Sequence, residues 1–157
     1  MKLYILRHGD AAANAPGDAE RPLTTRGERE VQEISARCAE RLKSVELVVS
    51  SPYRRARQTA AIMMRTLSTD IPEYPGELLI SPQITPAGHL EEVGAFVEAL
   101  DRDEVLLVSH QPLVGQLLMF LTDSDDHGGL GTANLLALDL SAFTRGGAQL
   151  LWLERPE

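Results

Sequence analysis

The chain has 157 residues, 43% of them hydrophobic and 24% charged, enough to bury about two thirds of its unfolded surface in one core and a composition that excludes disorder as the main state. Fifteen Lys and Arg against 23 Asp and Glu give a net charge of -8, which argues against nucleic acid or a membrane as partner, although screening over about 8 Å still lets a local arginine cluster bind phosphate. With no apolar run near the ~18 residues of a membrane span, no signal-peptide pattern and a lone Cys38 suited to a reducing compartment, the expectation is a single domain over residues 1–157, monomeric and cytoplasmic.

Lys2 to Arg7 is mostly apolar and reads as a first strand, interior to a sheet. After a loop of Ala, Asn, Pro, Gly and Asp, Thr25-Arg26-Gly27-Glu28 has the form of a capping box with Thr25 as N-cap. Val31, Ile34, Cys38 and Leu42 then mark one apolar helix face. Glu46 to Ser50 is a second short strand. Ser51 as N-cap and Pro52 at the first helical position predict a second helix, which turns Ala56, Ala60, Met63, Met64 and Leu67 toward the core.

Ser68 to Gly88 holds four prolines and two glycines and reads as an extended connection around a short strand at Leu78 to Ile80. His89 to Leu100 is a third helix with Leu90, Val93, Phe96, Val97 and Leu100 on one side. Glu104 to Ser109 is a further strand, and His110-Gln111-Pro112 opens a fourth helix through Leu121. Beyond a polar loop, Thr122 to Gly131, whose Gly128, Gly129 and Gly131 suggest mobility, Ala133 to Leu140 and Ala148 to Glu154 form an antiparallel pair. The alternation predicts an α/β fold: a three-layer sandwich, its central sheet mostly parallel, with an antiparallel C-terminal strand pair.

Parallel strands bring their C-terminal ends to one edge of the sheet, where such folds do chemistry. Here the first strand ends in Arg7-His8-Gly9, the second in Ser50-Ser51-Pro52 with Arg54, Arg55 and Arg57 just inside a helix, and the strand at Glu104 in Ser109-His110. Histidine is a nitrogen nucleophile largely neutral near pH 7, arginine holds an anion beside it, and glycine lets backbone approach closely. Taken singly, each residue reads equally as a strand cap, a helix cap or part of a solvated face. Together, at equivalent topological positions, they point to phosphoryl transfer onto His8. Neither GxGxxG nor GxxxxGK[ST] is present, and no cofactor or metal is expected. A metallohydrolase using His8, Asp10 and His110 is the alternative, and it lacks a local ligand motif such as HExxH.

Leu6-Arg7-His8-Gly9-Asp10, Pro22-Leu23-Thr24-Thr25-Arg26-Gly27, Ser50-Ser51-Pro52-Tyr53-Arg54-Arg55-Ala56-Arg57-Gln58-Thr59-Ala60 and Val108-Ser109-His110-Gln111-Pro112 resemble the histidine phosphatase superfamily, with its phosphoglycerate mutase-like fold. The small size and Arg21-Pro22-Leu23-Thr24 look most like the SixA-type phosphohistidine phosphatases of bacteria. The resemblance implies that His8 is the nucleophile, that Arg7 and Arg55 clamp the phosphoryl oxygens, that His110 is a further positive donor and that Arg21 contacts substrate. Arg54 and Arg57 are then surface residues. Two guanidinium groups beside His8 are expected to depress its protonation.

One departure concerns the carboxylate general acid of many superfamily members, since Gln83 in Pro82-Gln83-Ile84-Thr85-Pro86 stands where SixA-like chains often show Glu. Asp10, Glu91 and Glu92 are the candidates to replace it. The implied partner is a phosphorylated histidine phosphotransfer domain or a similar phosphoprotein, because nothing inserted in the chain covers the rim. The rival readings are a phosphatase of small phosphate esters, a phosphomutase, and a phosphoprotein-binding module with little turnover.

Overall fold

The computed structural model describes residues 1–157. In chain order the elements are β1 (Lys2–Arg7), α1 (Thr25–Cys38), β2 (Leu47–Ser50), α2 (Arg54–Asp70), β3 (Glu77–Ile80), α3 (Leu90–Leu100), β4 (Glu104–Ser109), α4 (Leu113–Thr122), β5 (Leu135–Leu140) and β6 (Ala148–Glu154). The six strands form one sheet in the order β3-β2-β4-β1-β5-β6. β3, β2, β4 and β1 pair in parallel, whereas β5 runs antiparallel to β1 and to β6. This is the expected mixed sheet, with the C-terminal pair added beside β1.

The period-2 alternation of the strands splits the core into two layers. Leu3 and Ile5 of β1 and Val105 and Leu107 of β4 pack with Val93 and Val97 of α3 and Leu113, Val114 and Leu117 of α4. Tyr4, Leu6, Leu106 and Val108 face the other way, against Ile34 and Cys38 of α1 and Ala56, Ala60, Met63 and Leu67 of α2. A sheet buried on both faces needs apolar runs rather than alternation, and the sequences of β1 and β4 have them. At the edge, β3 leaves Leu78, Leu79 and Ile80 exposed. No helix is long and apolar enough to cross a membrane.

Several predicted element starts are corrected. Thr24, not Thr25, caps α1, its hydroxyl accepting from the Gly27 N–H at 3.0 Å. The reciprocal half of a capping box is absent because the third helical position is Gly27. The second helix begins at Arg54 rather than Pro52, since the Ser51 hydroxyl is engaged elsewhere, as described below. Likewise α4 starts at Leu113, after His110-Gln111-Pro112, and β5 at Leu135, the chain at Ala133 first turning through positive φ.

Candidate active site

Strand register carries the site. Arg7 pairs with Ser109 and Ser50 with Val108, so the residues that follow leave adjacent strands side by side, about 4.8 Å per step. The His8 N–H donates to the Ser109 carbonyl and the Ser51 N–H to that of Val108, each at 3.1 Å. The ladder therefore continues one step past each strand and delivers His8, Ser51 and His110 to one rim. The two imidazole centroids are 5.1 Å apart.

His8 is 6% exposed. Its Nδ1 lies 2.7 Å from the Gly9 carbonyl. A carbonyl only accepts, so Nδ1 carries the proton and the lone pair is left on Nε2. That lone pair accepts from Arg55 Nε at 3.3 Å. Burial pushes the His8 pKa down to about 4, with Arg55, Arg7 and Arg21 acting in the same sense and the Gly9 bond opposing. The arginine effect expected from sequence is present, but it is second to desolvation. Near pH 7 the ring is neutral, with its lone pair on the nitrogen that meets Arg55.

Gly9 serves packing. A Cβ there would stand 2.8 Å from Val31 Cγ2 and 2.9 Å from the Gly27 carbonyl, and one on Gly27 would stand 2.1 Å from the Asp10 carbonyl. The close approach read from the Arg-His-Gly triplet is thus between the His8 loop and the start of α1.

Arg55, on the first turn of α2, is 4% exposed. Its Nη1 donates to the Asp18 carbonyl at 2.6 Å and its Nη2 to Asp18 Oδ2 at 3.2 Å. Arg21 donates to Asp18 Oδ1 at 3.0 Å and to the Ala12 carbonyl at 2.7 Å. Arg21, and after it Arg55, hold the Asp18 carboxyl below the usual carboxylate range. Asp18 thus bridges the two arginines as an anion. Arg7 donates to the Leu130 carbonyl at 2.8 Å, while its Nε is buried without a partner.

His110 is 1% exposed. Its Nε2 lies 2.7 Å from Ser51 Oγ, and its Nδ1 is buried with no partner. Burial, then His8 and Arg55, push its pKa down to about 3. The sequence reading gave it as a positive donor; near pH 7 this ring is uncharged. The Tyr53 ring meets it edge-on at 5.0 Å and also lies 5.0 Å from the Arg55 guanidinium carbon.

His8, Arg7, Arg55 and His110 are therefore brought together, with Arg21 attached through Asp18. Arg54 and Arg57 are exposed, Arg57 donating to the Pro52 carbonyl at 2.9 Å. The three proposed replacement acids do not join the cluster. Glu91 and Glu92 are exposed on the first turn of α3, and the Asp10 carboxylate accepts from the Thr24 hydroxyl at 2.7 Å. The Gln83 side-chain oxygen accepts from the Ser81 hydroxyl. No group of three or more His, Cys, Asp or Glu side chains is arranged to hold a metal ion.

Sequence reasoning missed Asp18, although the Asp18 to Arg21 spacing of opposite charges on one turn was a signal. It also missed Thr59, whose hydroxyl accepts from the Gly9 N–H at 3.1 Å and donates to the Arg55 carbonyl at 2.8 Å. No local pattern marks that role.

Over 149 residues the chain is 32% identical to phosphohistidine phosphatase SixA of Escherichia coli (strain K12), covering 93% of this chain and 89% of that protein. The chain belongs to the histidine phosphatase superfamily. The profile of that superfamily's branch 1 matches residues 3–76, the stretch that contains His8 and Arg55. A SixA homolog of Haemophilus influenzae (strain ATCC 51907 / DSM 11121 / KW20 / Rd) is 31% identical over 97% of this chain and 88% of its own. Among solved structures, the protein histidine phosphatase SixA complexed with tungstate superposes with a TM-score of 0.85 at 32% identity, covering 99% of this chain and 97% of that one. Family and fold thus agree with the mixed sheet and its histidine-bearing rim.

Proposed function

We propose that the chain is one histidine phosphatase domain over residues 1–157 that removes phosphate from a phosphorylated histidine of a cytoplasmic signalling protein, through a covalent phosphohistidine enzyme. The observation that carries this reading is a neutral His8, its lone pair on Nε2, beside two buried nitrogens that the protein leaves without a partner, His110 Nδ1 and Arg7 Nε. Buried polar groups are rarely left without partners, and a tetrahedral oxyanion supplies several acceptors at once.

In the first step His8 Nε2 attacks phosphorus in line with the scissile P–N bond; the N–P bond forms as the P–N bond to the substrate imidazole breaks. Water then attacks the phosphorylated His8, giving inorganic phosphate and restoring the ring. Arg55 has five N–H groups, of which the nucleophile and Asp18 engage three; the other two serve the phosphoryl oxygens together with Arg7. Each such charge-assisted contact is worth about 1.5–3 kcal/mol. His110 donates from Nδ1 as charge gathers on the equatorial oxygens. Arg21 acts through Asp18, holding the carboxylate that holds Arg55.

Gln83 and Asp18 bear on the substrate class. A glutamine amide does not protonate an alkoxide, and an Asp18 kept ionised by two arginines is a poor acid. Loss of a general acid lowers rates by about 10²- to 10⁴-fold. An N-phosphorylated imidazole protonated at its other nitrogen leaves as neutral imidazole and needs no such donor. The names of the SixA relatives support the same class. The test is turnover of a phosphorylated histidine phosphotransfer domain against small phosphomonoesters: kcat/KM is expected to favour the phosphoprotein. A clear preference for the esters refutes the substrate class, and binding without turnover refutes the enzyme.

A further inference from the structure

Ser51 is fully buried, and its backbone is fixed on both sides. Its N–H donates to Val108 at 3.1 Å, and its carbonyl accepts from the Ser50 hydroxyl at 2.8 Å. The Ser51 oxygen accepts from the Tyr53 N–H at 3.2 Å and stands 2.7 Å from His110 Nε2. A hydroxyl has one proton to give, and His110 Nε2 is the one acceptor it meets.

The two neutral forms of His110 satisfy this geometry unequally. With the proton on Nε2, the ring would donate to Ser51, which would then accept twice and strand its own proton. The buried Nδ1 would in addition present a lone pair to the anion site. With the proton on Nδ1, Ser51 accepts from Tyr53 and donates to Nε2, and Nδ1–H is left as the one free donor. The edge-on Tyr53 ring, 5.0 Å away, helps keep the imidazole in this orientation.

We infer that Ser51 is a positioning residue for His110, its hydroxyl donating to Nε2 and so holding the ring proton on Nδ1, where a phosphoryl oxygen takes it. This rests on His110 acting as donor to the phosphoryl group. The Ser51-Pro52 pair, which resembles a helix start, is instead the tautomer-setting part of the site. Misplacing a catalytic imidazole proton, like losing an oxyanion donor, lowers rates by orders of magnitude.

Long-range ¹H–¹⁵N correlation spectra of the protein labelled on histidine nitrogen read the tautomer directly. The wild type is expected to show His110 protonated on Nδ1. Ser51→Ala is expected to shift the signal toward Nε2–H and to lower kcat about 10- to 100-fold with KM nearly unchanged; Ser51→Thr, which keeps the hydroxyl, restores the Nδ1–H pattern and most of kcat. An Nε2–H signature in the wild type overturns the inference, as does Ser51→Ala with an unchanged tautomer or wild-type kcat. The wild-type spectrum decides even if Ser51→Ala does not fold. It also needs no turnover, so an error in the proposed substrate leaves the tautomer result standing.

Discussion

Toward the N-terminal end of β1 and β4, the Tyr4 hydroxyl donates to Glu104 Oε1 at 2.8 Å, and the Arg41 guanidinium lies 4.1 Å over the ring of Trp152, which is level with Tyr4 in the sheet. At the C-terminal end, an equally polar set of two histidines and two arginines leaves His110 Nδ1 and Arg7 Nε buried and unpaired. The same strands, β1 and β4, run through both clusters. What separates them is satisfaction: one end pairs its polar groups and adds stability, whereas the other keeps donors open at a cost in stability and gains an anion site.

That contrast can be broken by substitutions at each end. The largest effect is expected from His8→Ala, which abolishes phosphatase turnover while the far-UV circular dichroism and the urea midpoint stay close to wild type. Arg55→Ala comes next. It removes a donor to the phosphoryl group and the partner of Asp18, and lowers kcat by about 10²- to 10³-fold with the fold retained.

The pH dependence of stability sharpens the same contrast. The pKa values of His8 and His110 in the folded state are about 4 and about 3, below the unfolded value of about 6.5. The unfolded chain therefore binds more protons below pH 6.5. Stability from these two groups is fully present above about pH 6.5 and is lost as the pH falls through 4 toward 3. Urea midpoints across pH 3–8 test this, and the slope is expected to become shallower in His8→Ala. The smallest effect is expected from Tyr4→Phe at the saturated end: a loss of about 0.5–1.5 kcal/mol in urea unfolding with kcat unchanged.

The strands were the most legible part of the sequence. β1, β4 and β6 have the bounds expected from sequence; in β1 and β4 this is because a strand buried on both faces writes its length in hydrophobic residues, whereas no residue of β6 is fully buried. Topology alone gathered His8, His110 and the run of Arg54, Arg55 and Arg57, since parallel strands share one C-terminal edge, and the family resemblance singled out Arg55 within that run. Ser51 was misread because its side chain answers to His110, 59 positions away, and not to the helix behind it. Asp18 escaped notice for a similar reason. Its carboxylate matters through Arg55, which lies 37 positions on, and only folding of the loop onto α2 brings the two together.

The most direct test is to mix the enzyme with a ³²P-labelled phosphohistidine protein, quench within milliseconds and map the label. The account predicts an acid-labile, alkali-stable phosphate on His8, absent from His8→Ala. Label on another residue, or full turnover by His8→Ala, would contradict it.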